Sequence, residues 1–255
     1  MAVIANWKKP LTAAVLATLA VGATAQADIS DVVFTIRAEN ANGVAEYQAR
    51  FDDGYYDAGA GTYDWSLPQG ISLMSSSGEL IAGLSNARVF CRDDPQVDLH
   101  FTVFAGSLNT VFTITSPTLG FASIAQAEGR TSAGFTATDL DGDGVSLSSW
   151  NGGNIYTSRY NGAVPGGTVF NDHFNGTFGT PVPGDSYSIS EEYPGGGTYV
   201  PIPGVVNDMS SRFRFTLSAN DIAAGTSLYE ILPVPAPSAM TLLGLGGILV
   251  ARRRR

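Results

Sequence analysis

The stretch "VDLHFTV", residues 97–103, alternates apolar and polar side chains without a break. Successive side chains of a β-strand point to opposite faces of the sheet, so we expect the four apolar side chains of this stretch on one buried face. A second stretch, "RFRFTL", residues 212–217, has the same period. Its apolar residues are predicted to lie inside and its polar residues outside: Phe213, Phe215 and Leu217 against Arg212, Arg214 and Thr216.

Short runs of β-branched and aromatic residues recur along the chain and are separated by Gly, Asn, Asp and Ser. One segment, residues 220–224, is instead predicted to form a short helical turn. Many short strands with turn signals between them predict an all-β protein, with an antiparallel β-sandwich or jelly-roll-like architecture. The further predicted strands are residues 32–37, 44–51, 87–90, 110–115 and 133–138.

Residues 151–204 form a distinct second part of the body, rich in Gly, Pro, Asn and aromatic residues. A structureless loop of this length is unusual in a compact domain, so we expect short strands joined by wide turns. The predicted strands lie near residues 155–160, 168–170, 187–190 and 198–202.

The eight aromatic residues of this second part allow two interpretations. They fill its core, or some stand exposed on loops as a platform that stacks on sugar rings. The candidates for stacking are Tyr156, Tyr160, Tyr193 and Tyr199. The other four are Phe170, Phe174, Phe178 and Tyr187.

The charges are distributed unevenly along the 255 residues, whose net charge is −9. Residues 28–233 contain eight arginines against 23 carboxylates, a net charge of −15. The compensating positive charge lies at the two ends of the chain. An acidic body argues against nucleic-acid binding, which requires basic surface to neutralise phosphates.

The first 27 residues are typical of a secretory signal peptide. Two lysines precede an apolar run at residues 11–21, and Ala25 and Ala27 supply the small residues that signal peptidase requires. The mature chain would then begin at Asp28. The alternative is an N-terminal membrane anchor, but the run has roughly half of the ~20 residues that a span needs.

The C-terminal segment, residues 234–255, combines a proline motif, the short apolar run at residues 239–250 and a cluster of arginines. Proline blocks extension of a helix towards the N-terminus, and arginines stay on the cytoplasmic side of a membrane. We therefore expect transient membrane insertion through a short C-terminal hydrophobic helix. The motif and the cluster are Val234, Pro235, Ala236, Pro237, Ser238, Arg252, Arg253, Arg254 and Arg255.

This segment resembles the PEP-CTERM sorting signal of bacteria that make exopolysaccharide. The resemblance implies processing by the transpeptidase exosortase and a location in the cell envelope, at the cell surface or in the extracellular matrix. It also implies exopolysaccharide or envelope glycans as neighbours. Ala236 stands where the family usually has Glu. The alternative is an ordinary C-terminal anchor that is never cut. Such a signal determines where a protein is delivered and does not define its activity.

The stretch "DLDGDG", residues 139–144, suggests a calcium site. It resembles the front half of an EF-hand loop, where oxygens at positions 1, 3 and 5 converge and glycine permits the turn at position 6. Position 12 is Trp150, so another ligand, such as Asp172, would be required. The alternative is an acidic turn after a strand. The candidate calcium ligands are Asp139, Asp141 and Asp143.

The remaining polar candidates do not form a recognised catalytic motif. Cys91 is expected to be a buried small hydrophobe, His100 to lie on the polar face of a strand and His173 to lie in a loop. Adjacent Glu191 and Glu192 would point to opposite faces of a strand, which argues against a catalytic pair.

Three hypotheses for the function follow from these observations. The first is a non-catalytic structural or adhesive protein of the cell surface, which would not be an enzyme. The second is a calcium-supported carbohydrate-binding module, and the third is a glycan hydrolase with a dispersed carboxylate site.

Overall fold

The computed structural model describes residues 28–162 and 165–234. The expected signal peptide, with Ala25 and Ala27, and the expected tail beyond Val234 lie outside the described residues. The described chain is all β, with two short 3₁₀ turns at Phe51–Asp53 and Trp150–Gly152. The strands are β1 (Asp28–Ile29), β2 (Val32–Asn40), β3 (Gly43–Arg50), β4 (Tyr55–Asp57), β5 (Thr62–Ser66), β6 (Ile71–Met74), β7 (Leu80–Arg92), β8 (Gln96–Ala105), β9 (Thr110–Thr115), β10 (Leu119–Ile124), β11 (Ala127–Thr138), β12 (Val145–Ser149), β13 (Asn154–Tyr160), β14 (Thr168–Asn175), β15 (Thr177–Thr180), β16 (Ser186–Tyr193), β17 (Val200–Ile202), β18 (Val206–Leu217) and β19 (Ile222–Pro233).

The strands form two antiparallel sheets, as a β-sandwich requires. The first sheet has the order β1-β10-β18-β9-β2-β3, and β12 and β13 pair with β18 and continue to β15 and β14. The second sheet has the order β16-β11-β19-β8-β7-β5-β4, with β17 beside β11 and β6 beside β7. Strands from the Gly-rich second part pair with β11 and β18, so both parts of the body share the same sheets.

The two stretches with the clearest alternation meet in the core. All four apolar residues of 97–103 are buried, which confirms their predicted face. The Phe101 ring on β8 lies 5.0 Å from Phe213 and 6.0 Å from Phe215 on β18, measured between ring centroids. Burial of each such side chain contributes about 1.5–3 kcal/mol, so contacts between these strands hold the two sheets together.

Close packing over Phe101 requires a glycine in the neighbouring strand. Gly225 of β19 pairs with Phe101, and a Cβ atom added there would lie 2.2 Å from Cζ of the ring. The ring therefore lies directly against the backbone of β19. No other residue fits this position without displacing the ring.

Two local predictions are wrong. Residues 220–224 do not form a helical turn: Asn220 adopts φ +58° in a tight turn, and β19 begins at Ile222. Pairing of β19 with both β8 and β11 outweighs a weak local preference. His173 lies within β14 opposite Tyr156 and is buried, because its strand pairs along its length with β13.

Candidate functional site

Asp139, Asp141 and Asp221 lie together at one end of the sandwich. One oxygen of each carboxylate lies within 4.8 Å of the others. Asp139 directly follows β11, and Asp221 directly precedes β19. Because these two strands are antiparallel neighbours, the end of one meets the start of the other at the same edge of the sheet.

Asp139 organises the turn that follows it. Its Oδ1 accepts hydrogen bonds from the backbone N–H of Asp141 at 3.2 Å and of Gly142 at 2.9 Å, and its Oδ2 accepts one from Gly184 at 2.6 Å. These donors, Gly184 first, lower the pKa of Asp139 to about 2. The carboxylate is therefore ionised and shapes the loop, as the alternative of an acidic turn predicts.

We call Asp139, Asp141 and Asp221 the acidic cluster. The negative charges of these three carboxylates repel one another. Burial raises the pKa of Asp221, and the charges of Asp139 and Asp141 raise it further, against hydrogen bonds from Ser218 and from the Leu140 N–H. Asp143, the third candidate ligand predicted from the sequence, is exposed and is not part of this three-carboxylate group, although a hydrogen bond shared with Asp141 raises its pKa. A cation would relieve this repulsion.

The oxygens of Asp139, Asp141 and Asp221 are chemically suited to a hard metal ion. Carboxylate oxygens are the ligands that hard cations such as Ca²⁺ and Mg²⁺ prefer. A carboxylate has about four lone-pair positions, so the three backbone donors leave Asp139 little more than one for a metal. Asp141 also accepts a hydrogen bond from Asn220 at 2.9 Å. The three carboxylates could thus hold a metal with few protein ligands and with water completing the shell.

Sequence reasoning missed Asp221 and offered Asp172 in its place. Asp172 lies on β14 opposite Thr157 and does not belong to the acidic cluster. Only the pairing of β11 with β19 brings Asp221 to the turn that begins at Asp139. The local sequence around Asp221 carries no metal-binding pattern that could have revealed it.

The four tyrosines proposed for stacking do not form one surface. Tyr156 and Tyr160 are buried core residues, so they are not available to a sugar ring. Tyr193 is 40% exposed at the end of β16. Tyr199 is half-buried, with the Arg130 guanidinium 5.2 Å from its ring centroid and its hydroxyl donating to Glu230 at 3.0 Å.

The outer face of the second sheet forms an open depression of about 620 Å³. Its lining includes short side chains such as those of Ser132 and Ser190 together with Asp98, His100 and Glu192. Burial raises the pKa of Asp98, against hydrogen bonds donated by the Gln96 amide at 3.1 Å. The exposed position of His100 on this strand is as expected.

Glu191 and Glu192 point to opposite sides of β16. Glu191 reaches between the sheets, where its Oε2 lies 3.2 Å from His173 Nδ1 and accepts a hydrogen bond from the Phe174 N–H at 3.2 Å. Burial lowers the pKa of His173, against the attraction of Glu191. Glu192 accepts from the Gly197 N–H at 3.0 Å on the outer side. The two carboxylates therefore do not act as one pair.

Comparisons with known proteins do not assign this chain to a family. No family model matches it, and no curated protein does. The enzymatically active domain of bacteriophage CBA120 tailspike protein 4 aligns with 52% of this chain at 15% identity and a TM-score of 0.27, and the match covers 16% of that chain. A structure of infectious bursal disease virus Gt strain aligns with 91% of this chain at 12% identity and a TM-score of 0.13, covering 73% of that chain. These TM-scores are too low to support any conclusion about the function of this chain.

The described residues contain no helix with the length and apolar character needed to cross a bilayer. The predicted C-terminal hydrophobic helix falls outside these residues.

Proposed function

We propose that the chain is an exported, exosortase-sorted protein of the cell surface or extracellular matrix, and that its β-sandwich has a non-catalytic structural or adhesive role. Signal peptidase and exosortase would act on its two ends during processing. Exopolysaccharide or envelope glycans would then be the partners of the body. The signal peptide and the sorting tail predicted from the sequence support the location.

The observation that carries the adhesive role is the open outer face of the second sheet. Two pairs of its hydroxyl side chains are joined across strands, Thr136 with Ser188 and Thr138 with Ser186, each at 2.8 Å. Ser132, Ser190 and Thr226 add further hydroxyls to the same face. Sites for small molecules are concave, enclosed and mostly apolar. A broad polar face of this kind is better suited to contact with an extended polymer.

The test is the intact mass and location of the protein in cells with and without exosortase. We expect loss of residues 1–27 and of everything after roughly Pro237, with the product recovered at the surface or in the matrix. Retention of Arg252, Arg253, Arg254 and Arg255 in the presence of exosortase would contradict sorting. Release of reducing ends from a glycan panel would contradict the non-catalytic role.

A calcium-supported carbohydrate-binding module is the second candidate, and the acidic cluster favours it. If calcium binds, saturation at 100 times its Kd would stabilise the fold by about 2.7 kcal/mol. For a body of this size that raises Tm by roughly 5–10 °C. The Asp221→Asn variant should lose this shift, and Asp172→Asn should keep it. A shift that both variants retain, or glycan binding that chelator leaves unchanged, would contradict this candidate.

A further inference from the structure

The outer face of the first sheet gathers positive charge within an acidic body. Arg212 and Arg214 project from β18 and Arg159 projects from the adjacent β13. Arg37 on β2 completes the group, because the register places it in line with Arg214 across Thr113 of β9. We call these four residues the arginine patch. They are half of the eight arginines in a region whose net charge is −15.

Three of the four other arginines in the described chain have carboxylate partners, whereas Arg92 donates a hydrogen bond to the Gln96 side chain. Arg50, Arg88 and Arg130 form ion pairs with Asp31, Asp64 and Glu230. Within the patch, only Arg37 forms an ion pair, with Glu39.

None of the remaining three patch arginines forms an ion pair with a described residue. Arg214 stacks on Trp150 with its Cζ 3.4 Å from the ring centroid. Arg159 donates a hydrogen bond to the Gly167 carbonyl. No side-chain hydrogen bond joins Arg212 to another described residue, although the carboxylate of Asp172 acts on it electrostatically. Glu39, Glu46 and Asp172 share this outer face and partly compensate the positive charge of the patch. None of the three forms an ion pair with Arg159, Arg212 or Arg214.

Several polar atoms of this face are buried without a partner. The Nε atoms of Arg159, Arg212 and Arg214 and the hydroxyl of Ser210 form no hydrogen bond with the described residues. Burial lowers the pKa of Arg212, and the positive charges of Arg214 and Arg159 lower it further. The buried Nε atoms are out of reach of a partner, but the terminal nitrogens of Arg212 and Arg214 also form no hydrogen bond with the described residues and are not buried in this way. These terminal donors are available to an external acceptor.

We propose that the arginine patch binds the carboxylate or sulfate groups of an acidic polysaccharide. A guanidinium group presents its N–H donors in a planar fork that matches such oxyanions. Neighbouring hydroxyls suit the rest of a sugar, since Thr35 and Thr115 share the outer face with Arg212 and lie in register with it. This inference rests on the proposed function, and it adds a contact face on the first sheet, distinct from the polar face of the second sheet, together with the class of its partner.

Charge density favours a polysaccharide over a nucleic acid. Duplex DNA carries one negative charge per about 1.7 Å of its axis, and its neutralisation needs a broad basic surface. Outside the patch the body is strongly acidic and would repel the flanking phosphates. A polyuronate carries one carboxylate on each sugar, so its charges are more widely spaced than those of the duplex and it can place an oxyanion on the patch with less repulsion.

The experiment measures binding of the full chain to polygalacturonate, with neutral dextran and double-stranded DNA as comparison ligands. The patch variant is Arg159→Gln with Arg212→Gln. The control variant is Arg88→Gln with Arg92→Gln, which removes the same charge from the outer face of the second sheet. Because a hydrogen bond to a charged group is worth roughly a factor of ten or more, we expect the patch variant to weaken binding about 100-fold. The control should change it less than about twofold, since exposed ion pairs contribute little.

Arg212→Lys tests the same idea without loss of charge, because lysine keeps the charge but not the fork. This single variant should also bind polygalacturonate more weakly than the natural chain does. If the double variant fails to fold, binding by Arg212→Lys still tests the proposal. Equal losses in the patch and control variants, equal binding to dextran, or tighter binding to DNA would overturn the proposal. Surface location without polygalacturonate binding would overturn this inference alone, whereas cleavage of the polymer would overturn the proposed non-catalytic function.

Discussion

Substitution of Gly225 by alanine should destabilise the sandwich through the Phe101 ring. The added methyl would lie 2.2 Å from Cζ and 2.5 Å from Cε1 of that ring. Carbon atoms in contact are about 3.5 Å apart or more, so the ring would have to retreat by roughly 1.3 Å. Phe213 blocks this movement from the opposite sheet, with its centroid 5.0 Å away.

Overpacking of this kind costs typically about 1–3 kcal/mol. For a body of roughly 200 residues, each kcal/mol lowers Tm by about 2–4 °C, so the expected decrease is roughly 2–12 °C. Thermal unfolding followed by circular dichroism measures it, and urea unfolding gives the free energy directly.

Gly134→Ala is the matched control on the neighbouring strand β11. A Cβ atom there lies 3.4 Å from its nearest neighbour, the Ile189 carbonyl oxygen. This variant should be as stable as the natural chain, or up to about 1 kcal/mol more stable, because alanine restricts the unfolded state. Equal stability of the two variants would refute the account of the packing over Phe101.

Three further predictions concern single side chains. Asp139→Asn should reduce stability at neutral pH, because the lowered pKa of Asp139 stabilises the folded state. This contribution is fully present above pH 3.8 and is lost as the pH falls towards about 2. In acid unfolding, the difference in stability between the variant and the natural chain should therefore shrink over that pH interval. Cys91 is fully buried and burial raises its pKa, so a thiol reagent should label it only after unfolding, and labelling of the native chain at the unfolded rate would contradict its position in the core. Phe213→Ala should cost about 3–5 kcal/mol in urea unfolding, and a cost below 1 kcal/mol would mean that the sheets are not held together there.

Local alternation was sufficient to predict much of the sandwich. In residues 97–103 and 212–217, period two assigned each apolar side chain to the buried face. The same rule placed Glu191 and Glu192 on opposite sides of a strand. These features could be predicted because each depends on neighbours within a few residues.

Features that depend on strand pairing could not be predicted in this way. Asp221 joins Asp139 only because β19 returns beside β11, and the sequence separation hides that contact. His173 was assigned to a loop because Asn, Asp and Gly surround it, yet β14 pairs with β13 despite this composition. Tyr156 was a candidate for exposure, but its strand lies next to β18 and carries it into the core.

The arginine patch also makes the distribution of charge unequal between the two outer faces of the sandwich. The first outer face is the less acidic one, since the four patch arginines stand there beside Glu39, Glu46 and Asp172. The opposite face carries more carboxylates than arginines: Asp64, Asp98, Glu128, Glu192 and Glu230 against Arg88, Arg92 and Arg130. A body with its charges separated in this way rotates as it approaches a charged surface, before any contact forms. On a negatively charged gel it would settle with the first sheet inward, and every copy would present the same acidic face outward. The layer would then repel further copies and stop at one molecule in thickness, unless cations bridge the outward faces.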